Sequence, residues 1–382
     1  MNAVLQPAIA SAPPAQAWAD DRAAPLHPRA DAPPRLLLLG TGTVGRAFVE
    51  RHARLATQVP LPPLGLIANS RAAGACRGDA GAVLSTLVAA PPREREAVLG
   101  DEAFAPGDIV VDATASDAVA GHHARWLRRG VHVVTANKLG AGAGLARARD
   151  LAQAARAGDA RYGDAATVGA GLPLIRSIRE LARGGDRIHA VEGVLSGSLA
   201  WLFHRYDGTR PFSACVREAR AAGYTEPDPR IDLSGEDVRR KLLILARAAG
   251  LPLEADAVRV DSLVPRPLAG AAPDAVDARL PELDDDLLAR LRDARARGAV
   301  LRFVGRFGAD ADGVVSAEVG LRALPPDHPL CGGNGTDNRV AIASDRYREQ
   351  PLVIQGPGAG AEVTAAALLD DVLAIARPQR PA

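Results

Sequence analysis

The sequence predicts an α/β protein in which a doubly wound parallel sheet is joined to a second domain of α+β type. Short, wholly apolar runs alternate with helix-like stretches over about the first 130 residues of the folded part, as expected of strands buried on both faces of a parallel sheet. A glycine-rich turn follows the first of these runs directly. Beyond residue 300, segments rich in Val, Ile and Leu predict a second sheet.

The elements follow in chain order. Strands of the first sheet are predicted at 36–39, 64–68, 109–112 and 131–135, with a helix over 118–129. In the second part, helices are predicted at 173–182, 212–222, 236–249 and 364–376, and strands at 188–195, 301–307, 314–321, 339–343 and 352–355.

Composition excludes several classes of protein. The 382 residues carry 46 basic and 45 acidic side chains, and a net charge of +1 gives no reason to expect a nucleic-acid or membrane-surface partner. Three widely spaced cysteines predict neither a disulfide framework nor a thiolate zinc site, so we expect a cytoplasmic protein. No apolar run approaches the roughly 18 residues of a membrane span. Residues 1–34, with seven prolines, are expected to be a disordered Ala/Pro-rich tail.

Only two of the 46 basic residues are lysines, Lys138 and Lys241. Arg keeps its proton at every accessible pH, whereas a Lys in a dry pocket can titrate and act as an acid or base. The two lysines are therefore candidates for catalysis. The alternative is that the two lysines remain by chance in a protein whose other basic residues are all arginine.

The turn after the first strand reads GTGTVG and fits a dinucleotide-binding motif. Gly40 allows the tight turn, Gly42 lets the backbone approach a pyrophosphate, and Gly45 lets helix and strand pack closely. Thr43 and Val44 open the helix, whose free N–H groups suit a phosphate. A plain glycine-rich turn is the competing interpretation, and the strand-to-helix context favours a dinucleotide.

The end of the second strand indicates which dinucleotide binds. An acidic residue there would hold a ribose 2′-hydroxyl, but the sequence gives Ala68, Asn69, Ser70 and Arg71. Without an acid, and with an Arg in reach, a 2′-phosphate is favoured, so we expect NADP, with NAD possible. The alternative is that Arg71 is one of the many solvated arginines and does not contact a 2′-phosphate.

Two later strand ends are also expected to face the cofactor, because ligands of doubly wound sheets bind at the carboxyl ends of strands. These strand ends are Thr114, Ala115 and Ser116 in one case, and Ala136 to Lys138 in the other.

Acidic side chains cluster ahead of the helix that carries the second lysine. Glu226, Asp228 and Asp232 lie in a proline-stiffened loop and would suit a ligand ammonium group. In the helix, Asp237 and Lys241 are four residues apart and share a face. The apolar stripe of the helix places Lys241 at the margin of the buried face, where a proton donor can be tuned.

Eight motifs together resemble homoserine dehydrogenases, and especially the dehydrogenase half of the bifunctional aspartate kinase–homoserine dehydrogenases. The motifs occur in the family's order over about residues 35 to 378 and read GTGTVG, LIANSR, VVDATAS, HVVTANK, ATVGAGLP, VEGVLSGSL, AGYTEPDPRIDLSGEDVRRKLLILA and GPGAGAEVTA. The resemblance implies interconversion of L-aspartate 4-semialdehyde and L-homoserine with NAD(P)H, on the route to threonine, methionine and isoleucine.

The resemblance also implies residue roles. Lys241 matches the proton donor to the aldehyde oxygen, with Asp237 beside it, and Lys138 matches a lysine between cofactor and substrate. The substrate would be held by Glu226, Asp232, Tyr224, Gly197 and Ser198, and Gly358 and Gly360 of the GPGAG segment would return to the cofactor. A sodium-type cation would be bound by the backbone carbonyls of Ala165, Val168, Ala170 and Leu172.

The domains implied are a Rossmann-type NAD(P)-binding domain over 35–165 and 345–382 and a catalytic and dimerisation domain over 166–344, in a homodimer. Ile231, Ala165 and Ser198 depart from the family pattern, which often has Asp, an acidic residue and Thr there. The change at Ala165 puts the cation in doubt.

Two competing functions are weighed against this one. An aspartate-semialdehyde dehydrogenase needs a thiol nucleophile, and none of Cys76, Cys215 and Cys331 lies in a suitable context. A non-catalytic, nucleotide-sensing protein would not need the Asp237/Lys241 and Glu226/Asp232 sets. Their presence therefore argues against this function. His122 and His123, beside Trp126, are interpreted as structural or solvated.

Overall fold

Alternating side chains of β1 explain why the first sheet is covered on both faces. In the computed structural model, which describes residues 34–90, 103–309 and 315–376, Leu36 and Leu38 pack into one apolar layer and Leu37 and Leu39 into the opposite one. The strands of this sheet are β1 (Leu36–Leu39), β2 (Leu64–Ala68), β3 (Ala73–Ala75), β4 (Ile109–Asp112), β5 (His132–Thr135) and β6 (Tyr162–Gly163).

The strand order of the first sheet is β3-β2-β1-β4-β5-β6, and its pairs are parallel except for the antiparallel edge strand β3. The order reverses at β1, which lies between β2 and β4. A crevice forms at such a reversal, outside the carboxyl ends of the strands. The predicted doubly wound α/β class is confirmed.

Within the described ranges, these strands are connected by the helices α1 (Thr43–Leu55), α2 (Ala80–Ala89), α3 (Asp117–Arg128) and α4 (Leu145–Ala157). Phe48 of α1 packs with Leu36 and Leu38, whereas Leu127 of α3 and Leu151 of α4 pack with Leu37 and Leu39. The helices thus cover both faces of the sheet, and the polar crevice at the strand ends stays open.

The second sheet is mixed, and its order is β12-β11-β7-β9-β10-β8. Its strands are β7 (Ile188–Val194), β8 (Val258–Val260), β9 (Val300–Ala309), β10 (Val315–Leu324), β11 (Asp337–Ser344) and β12 (Leu352–Pro357). The helices of this region are α5 (Leu174–Arg183), α6 (Gly197–Arg205), α7 (Phe212–Ala221), α8 (Arg230–Leu233), α9 (Glu236–Ala248), α10 (Arg266–Ala269), α11 (Val276–Arg279), α12 (Asp284–Ala296) and α13 (Ala361–Ala376). Leu242 and Leu245 of α9 are fully buried with Phe303 and Phe307 of β9 in one large core.

The chain returns to the first sheet only with its last helix. β12 still pairs with β11 in the second sheet, whereas α13 packs against α1 and buries Leu368, Leu369 and Val372 in the first domain's core. The predicted domain bounds remain a prediction. The predicted tail, 1–34, lies almost wholly outside the described residues, and none of the described helices is long and apolar enough to cross a membrane.

Candidate active site

The turn between β1 and α1 has the geometry that the glycine motif predicts. Gly40 has φ +104°, where side chains are strained, and a Cβ there would meet the Ala113 carbonyl oxygen at 2.8 Å. A Cβ on Gly45 would overlap the Gly40 carbonyl oxygen, whereas a Cβ on Gly42 would meet nothing within 4 Å. Gly40 and Gly45 are therefore required by the fold, and Gly42 faces open space at the crevice.

A pocket of about 590 Å³ lies in this crevice. Of the predicted cofactor residues, it is lined by Gly40, Gly42, Ala68, Asn69, Ser70, Arg71, Thr114, Ala115 and Ser116. The other predicted residues, Thr43, Val44, Gly45, Ala136, Lys138, Gly358 and Gly360, are not among those that line it. Side chains that the sequence motifs did not indicate also line it, namely Thr41, Arg46, Val88, Phe104, Val119, His122 and Trp126.

Arg71 is anchored beside the pocket. Its Nη1 donates to the carbonyl oxygens of Val88 and Ala90 at the end of α2, both at 3.2 Å. Asn69 accepts the backbone N–H of Arg71 through Oδ1 and donates through Nδ2 to Thr41 Oγ1 at 3.0 Å. These bonds fix the guanidinium at the mouth of the pocket, with Nε and Nη2 unbonded within the described residues.

An aromatic wall closes one side of the pocket. The rings of Phe104 and Trp126 lie 5.1 Å apart, and His122 stacks on Trp126 at 5.8 Å with an interplanar angle of 23°. Such a surface suits a flat ring system. These residues come from different elements, so no single motif identifies them.

Asp112, at the end of β4, is the centre of a polar network that reaches from the protein interior to the pocket. His123 Nε2 donates to its Oδ2 at 3.0 Å, and the backbone N–H and hydroxyl of Thr114 donate to its Oδ1 at 2.9 and 2.7 Å. His123 and Asp112 are both 0% exposed, and His123 Nδ1 lies 3.2 Å from Tyr162 Oη. This network fixes Thr114 at the pocket, and it confirms the structural interpretation of His123.

We expect His123→Phe to lower the free energy of unfolding by about 3 kcal/mol, because it removes the partner of a buried charge. The affinity for NADPH should also fall, since Thr114 is held by the same carboxylate. Denaturant unfolding and NADPH fluorescence titration measure the two effects. Adding Asp112→Asn should restore most of the stability by removing the unpaired charge, and a single variant as stable as the parent would contradict the assigned pairing.

The two lysines of the chain meet at one carboxylate. Lys241 Nζ lies 2.8 Å from Asp237 Oδ2, and Lys138 Nζ lies 3.4 Å from Asp237 Oδ1. Lys241 is only 8% exposed, and its Nζ also donates to the Leu195 carbonyl oxygen at 2.7 Å. The loop after β5 and helix α9 thus bring together residues about 100 positions apart in the chain.

Burial alone would raise the pKa of Asp237, but the ammonium groups of Lys241 and Lys138 outweigh it and hold the pKa of this carboxyl well below its usual range. Asp237 is therefore an anion throughout the working pH range. Two ammonium groups thus lie around this one carboxylate, and such cations suit a developing alkoxide.

The acidic segment before α9 is fastened through Asp232, which lies in the short helix α8 and not in a loop as the sequence predicted. The Ser198 hydroxyl donates to Asp232 Oδ1 at 2.6 Å, and the backbone N–H of Glu226 donates to Oδ2 at 2.8 Å. Gly197 and Ser198 begin α6, and Tyr224, 45% exposed, packs on Trp201 of that helix with ring centroids 5.3 Å apart. Asp232 thereby holds the loop so that the exposed Glu226 stands beside α6.

Two family models match the chain. One, described as the NAD binding domain of homoserine dehydrogenase, matches residues 40–163, and the other, described as homoserine dehydrogenase, matches residues 173–373. The chain belongs to the homoserine dehydrogenase family. The first match also makes the crevice part of an NAD(P)-binding domain and confirms a nicotinamide cofactor.

Named relatives of the homoserine dehydrogenase family agree with this assignment. A homoserine dehydrogenase of Emericella nidulans is 36% identical over 90% of this chain and 98% of its own length. A chloroplastic bifunctional aspartokinase/homoserine dehydrogenase 2 of Zea mays is 46% identical over 73% of this chain, which spans 30% of the maize protein. Among solved structures, a Candida auris protein of unknown function is 36% identical with a TM-score of 0.79, covering 90% of this chain and 98% of the other.

The carbonyls that the homoserine dehydrogenase resemblance assigns to a cation lie in the segment between β6 and α5, where Val168 and Ala170 are buried and Ala165 and Leu172 are partly exposed. Ala170 has φ +50°, and among the hydrogen bonds of the described residues none ends on the carbonyl oxygens of Val168 and Ala170. Buried carbonyls without donors fit a hard cation. The Leu172 carbonyl, in contrast, accepts the N–H of Leu174 at 2.8 Å.

A carboxylate from the last helix lies beside this loop. Asp371 Oδ2 accepts the backbone N–H of Ala165 at 2.9 Å, and burial raises the pKa of Asp371 to about 6. Asp371 thus places an acidic side chain next to the position where Ala165 replaces the family's acid. No group of three or more His, Cys, Asp and Glu side chains within the described ranges could hold a metal, so a cation here would rely on carbonyls.

Proposed function

We propose that this protein catalyses the NADP-dependent interconversion of L-aspartate 4-semialdehyde and L-homoserine, in the biosynthesis of threonine, methionine and isoleucine. The observation that carries the proposal is the buried Lys241 ammonium, held by Leu195 and Asp237 and facing Lys138 at the end of β5. A bound nicotinamide would supply the hydride to the aldehyde carbon or accept it from the alcohol.

Lys241 is proposed to move the proton. Two of its three N–H bonds are directed at Leu195 O and Asp237 Oδ2, so the third is free for the substrate oxygen. As the carbonyl is reduced, Lys241 stabilises the developing alkoxide and then gives it this proton, and the resulting neutral amine recovers a proton from solvent. In the reverse direction the neutral amine removes the proton of the alcohol.

Substrate binding is proposed to divide between two carboxylates. Asp232 has both oxygens engaged, by Ser198 and by the Glu226 N–H, and so positions the loop as well as facing the substrate. Glu226 is exposed and supplies the acceptor for the α-ammonium group. Tyr224, Gly197 and Ser198 complete this side of the site.

The proposed preference for NADP depends on the anchored Arg71. We expect Arg71→Ser to lower kcat/KM for NADP⁺ by roughly 10- to 100-fold, because a charge-assisted hydrogen bond to the 2′-phosphate is lost. The value for NAD⁺ should change little. Steady-state kinetics with both nucleotides measure the ratio, with the exposed Arg77→Ser as the matched control. Equal losses for NADP⁺ and NAD⁺ would show that Arg71 supports the pocket without reading the phosphate.

A spectrophotometric assay of homoserine oxidation, with NADP⁺ and NAD⁺ at matched concentrations, tests the whole proposal. We expect turnover that requires homoserine and is faster with NADP⁺. Absence of turnover with either nucleotide would refute the activity, and a preference for NAD⁺ would refute the interpretation of Arg71.

The thiol-dependent alternative is not supported. Burial raises the pKa of the thiols of Cys76, Cys215 and Cys331, which opposes formation of a thiolate nucleophile. None of the three lines the nucleotide pocket.

Four further features are proposed. A sodium-type cation would bind the carbonyls of Ala165, Val168, Ala170 and Leu172, and the unbonded Val168 and Ala170 oxygens support it. The protein would form a homodimer through the second domain, which light scattering tests, and it would act in the cytoplasm. Residues 35–165 with 345–382 are proposed as the cofactor domain and 166–344 as the catalytic domain. Of the segment 345–382, β12 (Leu352–Pro357) pairs with β11 of the second sheet, and it is α13 (Ala361–Ala376) that packs in the first domain.

A further inference from the structure

Asn338, on β11, shares an acceptor with Lys241. Its Nδ2 donates to the Leu195 carbonyl oxygen at 3.3 Å, the same oxygen that accepts Lys241 Nζ at 2.7 Å. Asn338 is 0% exposed, and no motif singles it out in the sequence. A side chain of β11 therefore contacts the peptide group that holds the proposed proton donor.

The sheet explains why this contact is needed. The ladder between β7 and β11 ends at the pair Val194 and Arg339, so Leu195, the next residue, is outside the backbone pairing. Asn338 is paired on its other side with Gly356 of β12. Because Leu195 lies outside the ladder, its carbonyl oxygen is available to the Lys241 ammonium group. The hydrogen bond from the Asn338 amide takes the place of the backbone hydrogen bond that a paired residue would have.

The orientation of the Asn338 amide leaves one of its two polar atoms without a partner. With Nδ2 directed at Leu195, the Oδ1 of Asn338 is buried and has no hydrogen-bond partner within the described residues. Turning the amide over would set Oδ1 against the Leu195 oxygen, acceptor against acceptor. The side chain also fills the space where a Cβ of Gly358 would lie. An apolar side chain of similar size would avoid the unpaired oxygen, so the contribution of Asn338 is its bond to Leu195.

We infer that Asn338 is a positioning residue for the proton transfer, acting on Lys241 through the Leu195 carbonyl. The inference rests on the proposed role of Lys241. The ammonium nitrogen is tetrahedral, so fixing two N–H bonds on Leu195 O and Asp237 Oδ2 fixes the direction of the third, which points to the substrate oxygen. A Leu195 carbonyl free to rotate would let that direction vary and lower the fraction of complexes ready to react.

Asn338→Leu tests the inference, because leucine has the same branching at Cγ and cannot donate. We expect kcat to fall about 10- to 100-fold, since a small misplacement of a catalytic group has effects of that size. The KM for homoserine and the Kd of NADPH, from fluorescence titration, should stay within about twofold, since neither Asn338 nor Gly358, against which it packs, lines the nucleotide pocket. The ratio of kcat in H₂O to that in D₂O should rise, because proton transfer becomes more limiting.

A matched control and a second variant complete the experiment. Asn334→Leu changes an exposed asparagine four residues earlier and should leave all these constants unchanged. If Asn338→Leu does not fold, Asn338→Ala removes the donor without adding bulk and should give the same changes. An unchanged kcat, or a loss of kcat without a larger solvent isotope effect, would overturn the inference. Lys241→Arg, measured alongside, tests the proposed proton donor independently of Asn338. An active Lys241→Arg enzyme would refute that role of Lys241.

Discussion

Lys241→Arg is expected to lower kcat by roughly 10²- to 10⁴-fold while NADPH still binds. The guanidinium keeps the positive charge but does not release its proton, so it can stabilise an alkoxide without protonating it. Lys241 does not line the nucleotide pocket, which is why cofactor affinity should survive. Stopped-flow or steady-state reduction of the semialdehyde, together with NADPH fluorescence titration, measures both quantities.

A larger side chain in this buried position could also act by bulk, and two further measurements separate size from chemistry. Lys241→Ala should be inactive but regain activity when small primary amines are added, because an amine can occupy the vacated volume and carry the proton. Arg240→Lys, the reverse exchange at the neighbouring exposed position, should behave like the parent. A fully active Lys241→Arg enzyme would refute the acid role.

Gly45→Ala should disrupt both the fold of the nucleotide domain and its affinity for NADPH. The new methyl group would overlap the Gly40 carbonyl oxygen, so α1 and the turn must move apart. Overpacking against rigid backbone costs about 3 kcal/mol, and the displaced helix N-terminus no longer meets the pyrophosphate. Thermal or denaturant unfolding and fluorescence titration should therefore both change.

Gly42→Ala supplies the contrast. Its Cβ would meet no protein atom within 4 Å, and its backbone, at φ −72°, accepts any residue. We expect normal stability but weaker NADPH binding, because the methyl group would occupy space next to the bound pyrophosphate. If Gly45→Ala were as stable as Gly42→Ala, the tight turn deduced from the structure would be wrong.

Much of the first sheet could be predicted because its strands are short apolar runs. Leu36–Leu39, Leu64–Ala68 and Ile109–Asp112 were each predicted with the bounds that the structure has. Helix α6 (Gly197–Arg205) is not among the predicted helices, because it begins with Gly197, a poor helix former. Its signal was the N-cap, where the Ser196 hydroxyl accepts the N–H of Leu199.

Those parts of the candidate site that lie within one short segment of the chain can be predicted from the sequence. The Asp237 and Lys241 pair follows from helical spacing, and the glycine turn follows from its motif. Asn338, Trp126 and His123 could not be assigned roles in this way, because their partners lie on distant elements. Asn338 meets Leu195 only through the pairing of β7 with β11, and sequence spacing does not reveal such a contact.

The return of α13 to the first domain has a mechanical consequence. The chain crosses between the two sheets twice, once from β6 to α5 and once from β12 to α13. The crossings touch, since a Cβ on Gly356 would lie 3.0 Å from the Leu172 side chain, and one on Gly171 would lie 3.2 Å from the Val363 carbonyl oxygen. Two chain connections that run side by side allow the two domains to rotate about the line through both connections. They oppose twisting of one domain against the other. We therefore expect any approach of the cofactor domain to the Lys241 half of the molecule to be a rotation about this line.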